Sequence, residues 1–144
     1  MTAERDVAAL IDLYHAAAAD FIKGHPAAYT DLFSQRDDVS VANPFGPVAV
    51  GWENAKATME RAATLWKDGE VDGFDNLLTT VTPDLAFTVE VERLRGRIGG
   101  SADLAPVVLR TTSIFRREDD GWKIVHRHAD PIMTAQPPES VLQS

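Results

Sequence analysis

Cysteine is absent from this chain of 144 residues, which excludes disulfides, thiolate nucleophiles and cysteine-ligated zinc. Positive charge is scarce. Fourteen Lys and Arg stand against 22 Asp and Glu, a net charge of −8, whereas nucleic acid and anionic membrane surfaces both want a basic partner. Neither is an expected partner here. No apolar run reaches membrane-spanning length. The opening "MTAERDVAAL" carries charges where a secretory signal needs an apolar stretch. A cytoplasmic location is expected. What is present is a 44% hydrophobic complement, ordinary for a globular chain and sufficient for one core.

That hydrophobic content is periodic. Val7, Leu10, Ile11, Tyr14, Ala18, Phe21 and Ile22 follow the spacing of one buried helical face over residues 4–23, and Lys23–Gly24 is a suitable stop. A short helix carrying Tyr29, Leu32 and Phe33 begins near Pro26. The strand "DVSVAN" follows and ends in the turn-rich "NPFGP". A third helix, 52–67, places Trp52, Ala55, Met59, Ala62, Ala63 and Trp66 on one side, with "KDG" as its end. From residue 70 the period changes to two. "DNLLTTV", "LAFTVEVERLR", "VVLRTTSIFRR" and "WKIVHRHA" predict four long strands joined by "TPD", a looser "GRIGGSADLAP" and "EDDG". Helices first and a mostly antiparallel sheet after them make an α+β fold. A single domain over 1–131 is expected, with an irregular tail over 132–144.

Strict alternation along each strand assigns faces. Leu85, Phe87, Val89, Val91 and Arg93 oppose Thr88, Glu90 and Glu92. Leu109, Thr111, Ser113 and Phe115 oppose Val108, Arg110, Thr112 and Ile114. Ile124, His126 and His128 oppose Val125 and Arg127. If the helices cover Phe87, Val89, Leu109 and Phe115, then Arg93, Ser113, His126 and His128 are polar groups at the open end of an apolar pocket, the usual form of a small-molecule site. The other face, with Val108, Ile114 and Val125 among polar residues, is then free for a second subunit.

"SVANPFGPVAVGWENAKATMERA" resembles the ketosteroid isomerase segment in which a strand ends in Asp-Pro-Phe-Gly and a Gly opens the next helix. "LRTTSIFRREDDGWKIVHRHAD" resembles the last hairpin of SnoaL-like proteins and of the association domain of calmodulin-dependent kinase. The chain is similar, over about 5–131, to SnoaL-like and ketosteroid isomerase-like members of the nuclear transport factor 2-like superfamily. The resemblance implies a cone-shaped curved sheet wrapped around the N-terminal helices (a cystatin-like roll) with a deep pocket. It also implies where ketosteroid isomerase chemistry fails. Asn43 stands at the position of the proton-shuttling Asp, and an amide does not accept a proton near neutrality. Counting along the motifs places the oxyanion-hole Tyr near Ala17, one turn from Tyr14, and the protonated Asp at Ser113.

The candidate site follows. His126 and His128 are the candidate acid–base groups, because imidazole titrates near neutrality. Asn43, Phe45, Trp66, Phe87, Arg93 and Ser113 are the candidate ligand contacts, with Arg93 as an anion clamp or a strand-end ion pair and Asn43 as a ligand contact or the holder of the Asn-Pro turn. Asp130 either orients an imidazole or caps the strand end. A His-x-His pair can be half of a zinc site, but a third ligand would have to come from His15, His25 or a carboxylate. No metal and no cofactor are expected. The expected partners are an apolar or aromatic small molecule and a second copy of the chain through the outer sheet face. Isomerisation, aldol cyclisation, dehydration and hydrolysis are all open to such a pocket. The alternative is a non-catalytic homodimeric association or ligand-binding module.

Overall fold

A computed structural model describes residues 2–143. Helix α1 spans Ala3–Phe21 and is opened by Thr2, whose hydroxyl accepts from the Arg5 backbone N–H. It buries Val7, Leu10, Tyr14, Ala17 and Ala18, the stripe its spacing dictates. A one-turn helix α2, Ala27–Thr30, buries Tyr29. Strands β1 (Ser40–Ala42) and β2 (Ala49–Val50) precede helix α3, Trp52–Thr64. Then come the four long strands, β3 (Trp66–Val81), β4 (Leu85–Ile98), β5 (Ala105–Glu118) and β6 (Gly121–Asp130). After β6 the only regular element among the described residues is a 3-10 turn at Pro138–Val141.

The six strands form one sheet in the order β2-β1-β6-β5-β4-β3, antiparallel except where β1 runs parallel to β6. One face of the sheet packs on the helices. The main core joins Val7, Leu10 and Tyr14 of α1 to Tyr29, Phe33, Met59, Ala86, Phe115 and Ile124. A second cluster brings Ile22, Trp66, Leu94, Leu109 and Ala129 together. This is the cystatin-like α+β roll.

Three details differ from the sequence expectations. Trp66 is not the last turn of α3 but the first residue of β3. "KDG" does turn the chain, within the strand, through Asp68 at φ 56° and a register shift between Lys67 and Glu70. Second, the helix-facing side of β4 is Ala86, Thr88, Glu90, Glu92 and Leu94, all buried. Phe87, Val89 and Arg93 lie on the other face. The pairing leaves no ambiguity: Thr88 sits opposite Ser113, Glu90 opposite Thr111 and Glu92 opposite Leu109, while Phe87 sits opposite Ile114. Third, β6 changes phase. Ile114 pairs with His126 but Phe115 pairs with Ile124, so Val125 is an extra residue with no partner. One extra residue reverses the face of everything beyond it. Ile124 therefore points inward as alternation says, and Arg127 points inward as well. His126 and His128 point outward.

Candidate functional site

Between α1, α3 and the inner face of the sheet lies a cavity of about 300 Å³. Its walls are apolar: Phe21 and Ile22 from the end of α1, Met59 and Ala62 from α3, Trp66 from β3, and Leu94 and Leu109 from the sheet. Asn43, Pro44, Phe45 and Pro131 also border it. The Trp66 ring has its place because residue 96 is glycine; a Cβ there would stand 2.5 Å from the ring.

The polar end is built from two charges. Arg127 Nη1 and Nη2 donate to Glu92 Oε2 and Oε1 at 2.7 and 2.9 Å, a two-pronged ion pair with both side chains almost fully buried. Nη1 also donates to the Tyr14 hydroxyl. That hydroxyl and the Ser113 hydroxyl are 3.0 Å apart, both buried. The guanidinium lies over the rings of Tyr14 and Tyr29, 5.7 and 5.9 Å from their centroids. Burial pulls the Arg127 pKa down, but the Glu92 charge and the two tyrosines outweigh it and leave it well above the ordinary value. Burial pushes both phenols up. At neutral pH the site therefore holds a guanidinium and neutral phenols.

A second buried carboxylate lies one step along the same face. Glu90 Oε1 is 2.8 Å from His15 Nε2, and Oε2 accepts from Asn76 Nδ2 at 3.1 Å. The His15 ring stacks on Phe74, centroids 3.9 Å apart. Burial pushes the Glu90 pKa up, and the hydrogen bonds from His15 and Asn76 more than reverse this. This group fastens α1 to the sheet and is not part of the cavity lining.

Of the candidate residues, the structure brings Asn43, Phe45 and Trp66 to the cavity wall. Asn43 is already engaged, because its Oδ1 accepts from the Phe45 backbone N–H at 2.9 Å and holds the turn. Ser113 is on the inner face, but beneath Tyr14 rather than at the cavity surface. Four expected placements are corrected. His126 and His128 are on the outer face, reversed by the extra Val125. His126 Nδ1 is 2.8 Å from the Ser40 hydroxyl, and His128 is more than half exposed, 3.4 Å from Asp130. Burial, helped by His128, holds the His126 pKa below its ordinary value. Phe87 and Arg93 are outward too, because β4 turns its Thr/Glu side to the helices; Arg93 Nε pairs with Asp75 at 2.8 Å. The outward set expected for a second subunit loses Arg127. Asp130 accepts from Arg110 Nε at 2.6 Å and from the Ile132 backbone N–H at 3.0 Å, so it closes the strand end besides approaching His128. Tyr29, Glu92 and Arg127 were not among the expected site residues. Their one signal was the placement of Glu90 and Glu92 on the more polar side of β4, which is ordinary for a solvent face.

The solved structures that share this fold include a nuclear transport factor 2-like protein from Streptomyces avermitilis described as a candidate dehydratase. It is 21% identical, with 92% of this chain and 100% of that one covered, at a TM-score of 0.72. A ketosteroid isomerase-like protein from Erwinia carotovora atroseptica is 15% identical over 90% of this chain and 96% of that one, TM-score 0.73. A candidate calmodulin-dependent kinase II association domain from Thiobacillus denitrificans is 20% identical over 87% and 94%, TM-score 0.71. At these identities the likeness establishes the fold. No curated protein matches the sequence. A family model for the SnoaL-like domain matches residues 7–134, from α1 through β6, and the chain belongs to that family.

Proposed function

We propose that the chain binds an apolar or aromatic small molecule in the cavity between α1, α3 and the sheet, and acts on it as an isomerase- or dehydratase-type enzyme. The observation that supports this is the form of the cavity: about 300 Å³, apolar along its walls, with one buried charged pair at one end. A carbonyl oxygen brought to Arg127 would have its developing negative charge stabilised by the guanidinium. Glu92 is the carboxylate positioned to receive a proton there, while Asn43, Phe45 and Trp66 hold the body of the ligand. His126 and His128 have no part in this chemistry.

Thermal shift and calorimetry with a panel of cyclic and aromatic ketones test the reading. Saturable binding is expected, lost in an Ala62→Phe variant that fills the cavity. Equal binding to the filled variant, or none to the parent, overturns it.

The outer face supports a second reading alongside the first. Phe87, Val89, Val91, Val108 and Ile114 lie there, on the side of β4 and β5 opposite the helix-facing one. This chain forms a homodimer through that face. Light scattering at micromolar concentration should report about twice the 15.7 kDa chain mass, and a monomer overturns it.

A further inference from the structure

We infer that the ligand is neutral and presents a carbonyl with an adjacent N–H or O–H donor (a carboxamide, lactam or hydroxyketone on an apolar ring), and that carboxylates are rejected. This rests on the cavity reading above. Two counts on the Glu92–Arg127 pair carry it.

The first count is of donors. A guanidinium has five N–H groups. Glu92 takes one from each terminal nitrogen and Tyr14 takes the other from Nη1. Among the described residues, the Nε–H and the remaining Nη2–H have no acceptor. These two lie side by side on one edge of the guanidinium plane, a second fork. Among the described residues the one fully occluded side-chain nitrogen or oxygen without a partner is Trp122 Nε1. The Arg127 Nε is therefore not sealed off, and its residue lines the cavity. An acceptor that enters the cavity would dock on this free edge.

The second count is of charge. Among the described residues, Glu92 and Arg127 are the only formally charged ones in the lining, and they cancel. A carboxylate at the free fork would gain Arg127 but would stand beside Glu92, in a setting too apolar to screen the repulsion, after losing its own hydration. A neutral carbonyl uses the same donors without that conflict. Glu92 adds a further preference. Its two oxygens offer about four lone-pair positions and Arg127 uses two, so a ligand N–H or O–H next to the carbonyl has an acceptor waiting. A pure hydrocarbon would leave the fork buried and unmatched.

Three probes of one shape test this: 2-naphthamide, 2-naphthoate and 2-methylnaphthalene, with benzamide, benzoate and toluene as a smaller set. Titration calorimetry at pH 7 should show the amide binding at least tenfold more tightly than both counterparts in one set or the other. Glu92→Gln keeps the shape, removes the negative charge and should reverse the order, favouring the carboxylate. If the carboxylate or the hydrocarbon binds the parent protein as tightly as the amide, the inference falls while the cavity reading stands. If no probe of either set binds, both fall. If Glu92→Gln does not fold, the ranking on the parent protein alone decides. If it folds and still prefers the amide tenfold, the charge argument is overturned.

Discussion

Ile124 and Arg127 lie three residues apart on β6 and yet face the same side of the sheet. A regular strand forbids this, because side chains three apart point oppositely. Val125, the residue without a partner, makes it possible. It also places the buried guanidinium that the cavity is built around.

Deleting Val125 should therefore leave the site intact. Ile124 would stay inward, His126 would follow it directly, and Arg127 would still face Glu92. The expected cost is the burial of one valine, about 1.5–3 kcal/mol. A folded variant in which Arg127 becomes accessible to arginine-selective reagents would contradict this account of the strand.

Arg127→Met strands a buried carboxylate and should destabilise the protein by about 3–5 kcal/mol in urea unfolding. The Arg127→Met/Glu92→Leu double variant should recover most of that loss. Additive losses in the double variant would mean that the two charges do not compensate one another.

Glu90 has a lowered carboxyl pKa in the folded state. Its contribution is fully present above the ordinary carboxylate value of about 4.3 and is lost as pH falls through the lower folded value. Acid unfolding of the parent protein should be steeper below about pH 4.3 than that of Glu90→Gln. Parallel acid limbs would remove Glu90 from the titration.

Gly96→Ala places a methyl group 2.5 Å from the Trp66 ring. The ring must shift toward the cavity, costing about 1–3 kcal/mol as overpacking and shrinking the binding volume. Trp fluorescence and ligand affinity should both change. Unaltered affinity would show that Trp66 does not border the bound ligand.

No isomerisation of a 3-oxo-Δ5 steroid is expected, since the Asn43 side chain is an amide tied into its own turn. Asn43→Asp is the control. Turnover by the unmodified protein at an enzymatic rate would overturn this.

The elements were legible in the sequence for simple reasons. The α1 stripe from Val7 to Phe21 has a single period and a clear stop, and β5 alternates without interruption, so Leu109, Thr111, Ser113 and Phe115 are inward as spacing requires. The polar end of the site was not legible, for two physical reasons. Alternation shows which residues share a face but not which face meets the helices. On β4 the usual guide fails, because the buried side carries Thr88, Glu90 and Glu92 while the more apolar side carries Phe87 and Val89. The phase of β6 depends on one unpaired residue that "KIVHRH" does not mark. Asn43 and Phe45 were found at the cavity by resemblance, since turn residues keep their place along the chain whatever the strands do.

The sequence neighbours Tyr14 and His15 point about 100° apart around the α1 axis and reach different strands, Tyr14 to Ser113 on β5 and His15 to Glu90 on β4. Grease alone would let a helix roll or creep along a sheet at little cost. Two directional attachments at different azimuths act as a key in a lock plate: rolling α1 to favour one breaks the other, and creeping by one residue breaks both. Substitutions at Val7 or Leu10 should therefore loosen α1 without letting it settle in a neighbouring register, and the roof of the cavity keeps its position even when its apolar packing is weakened.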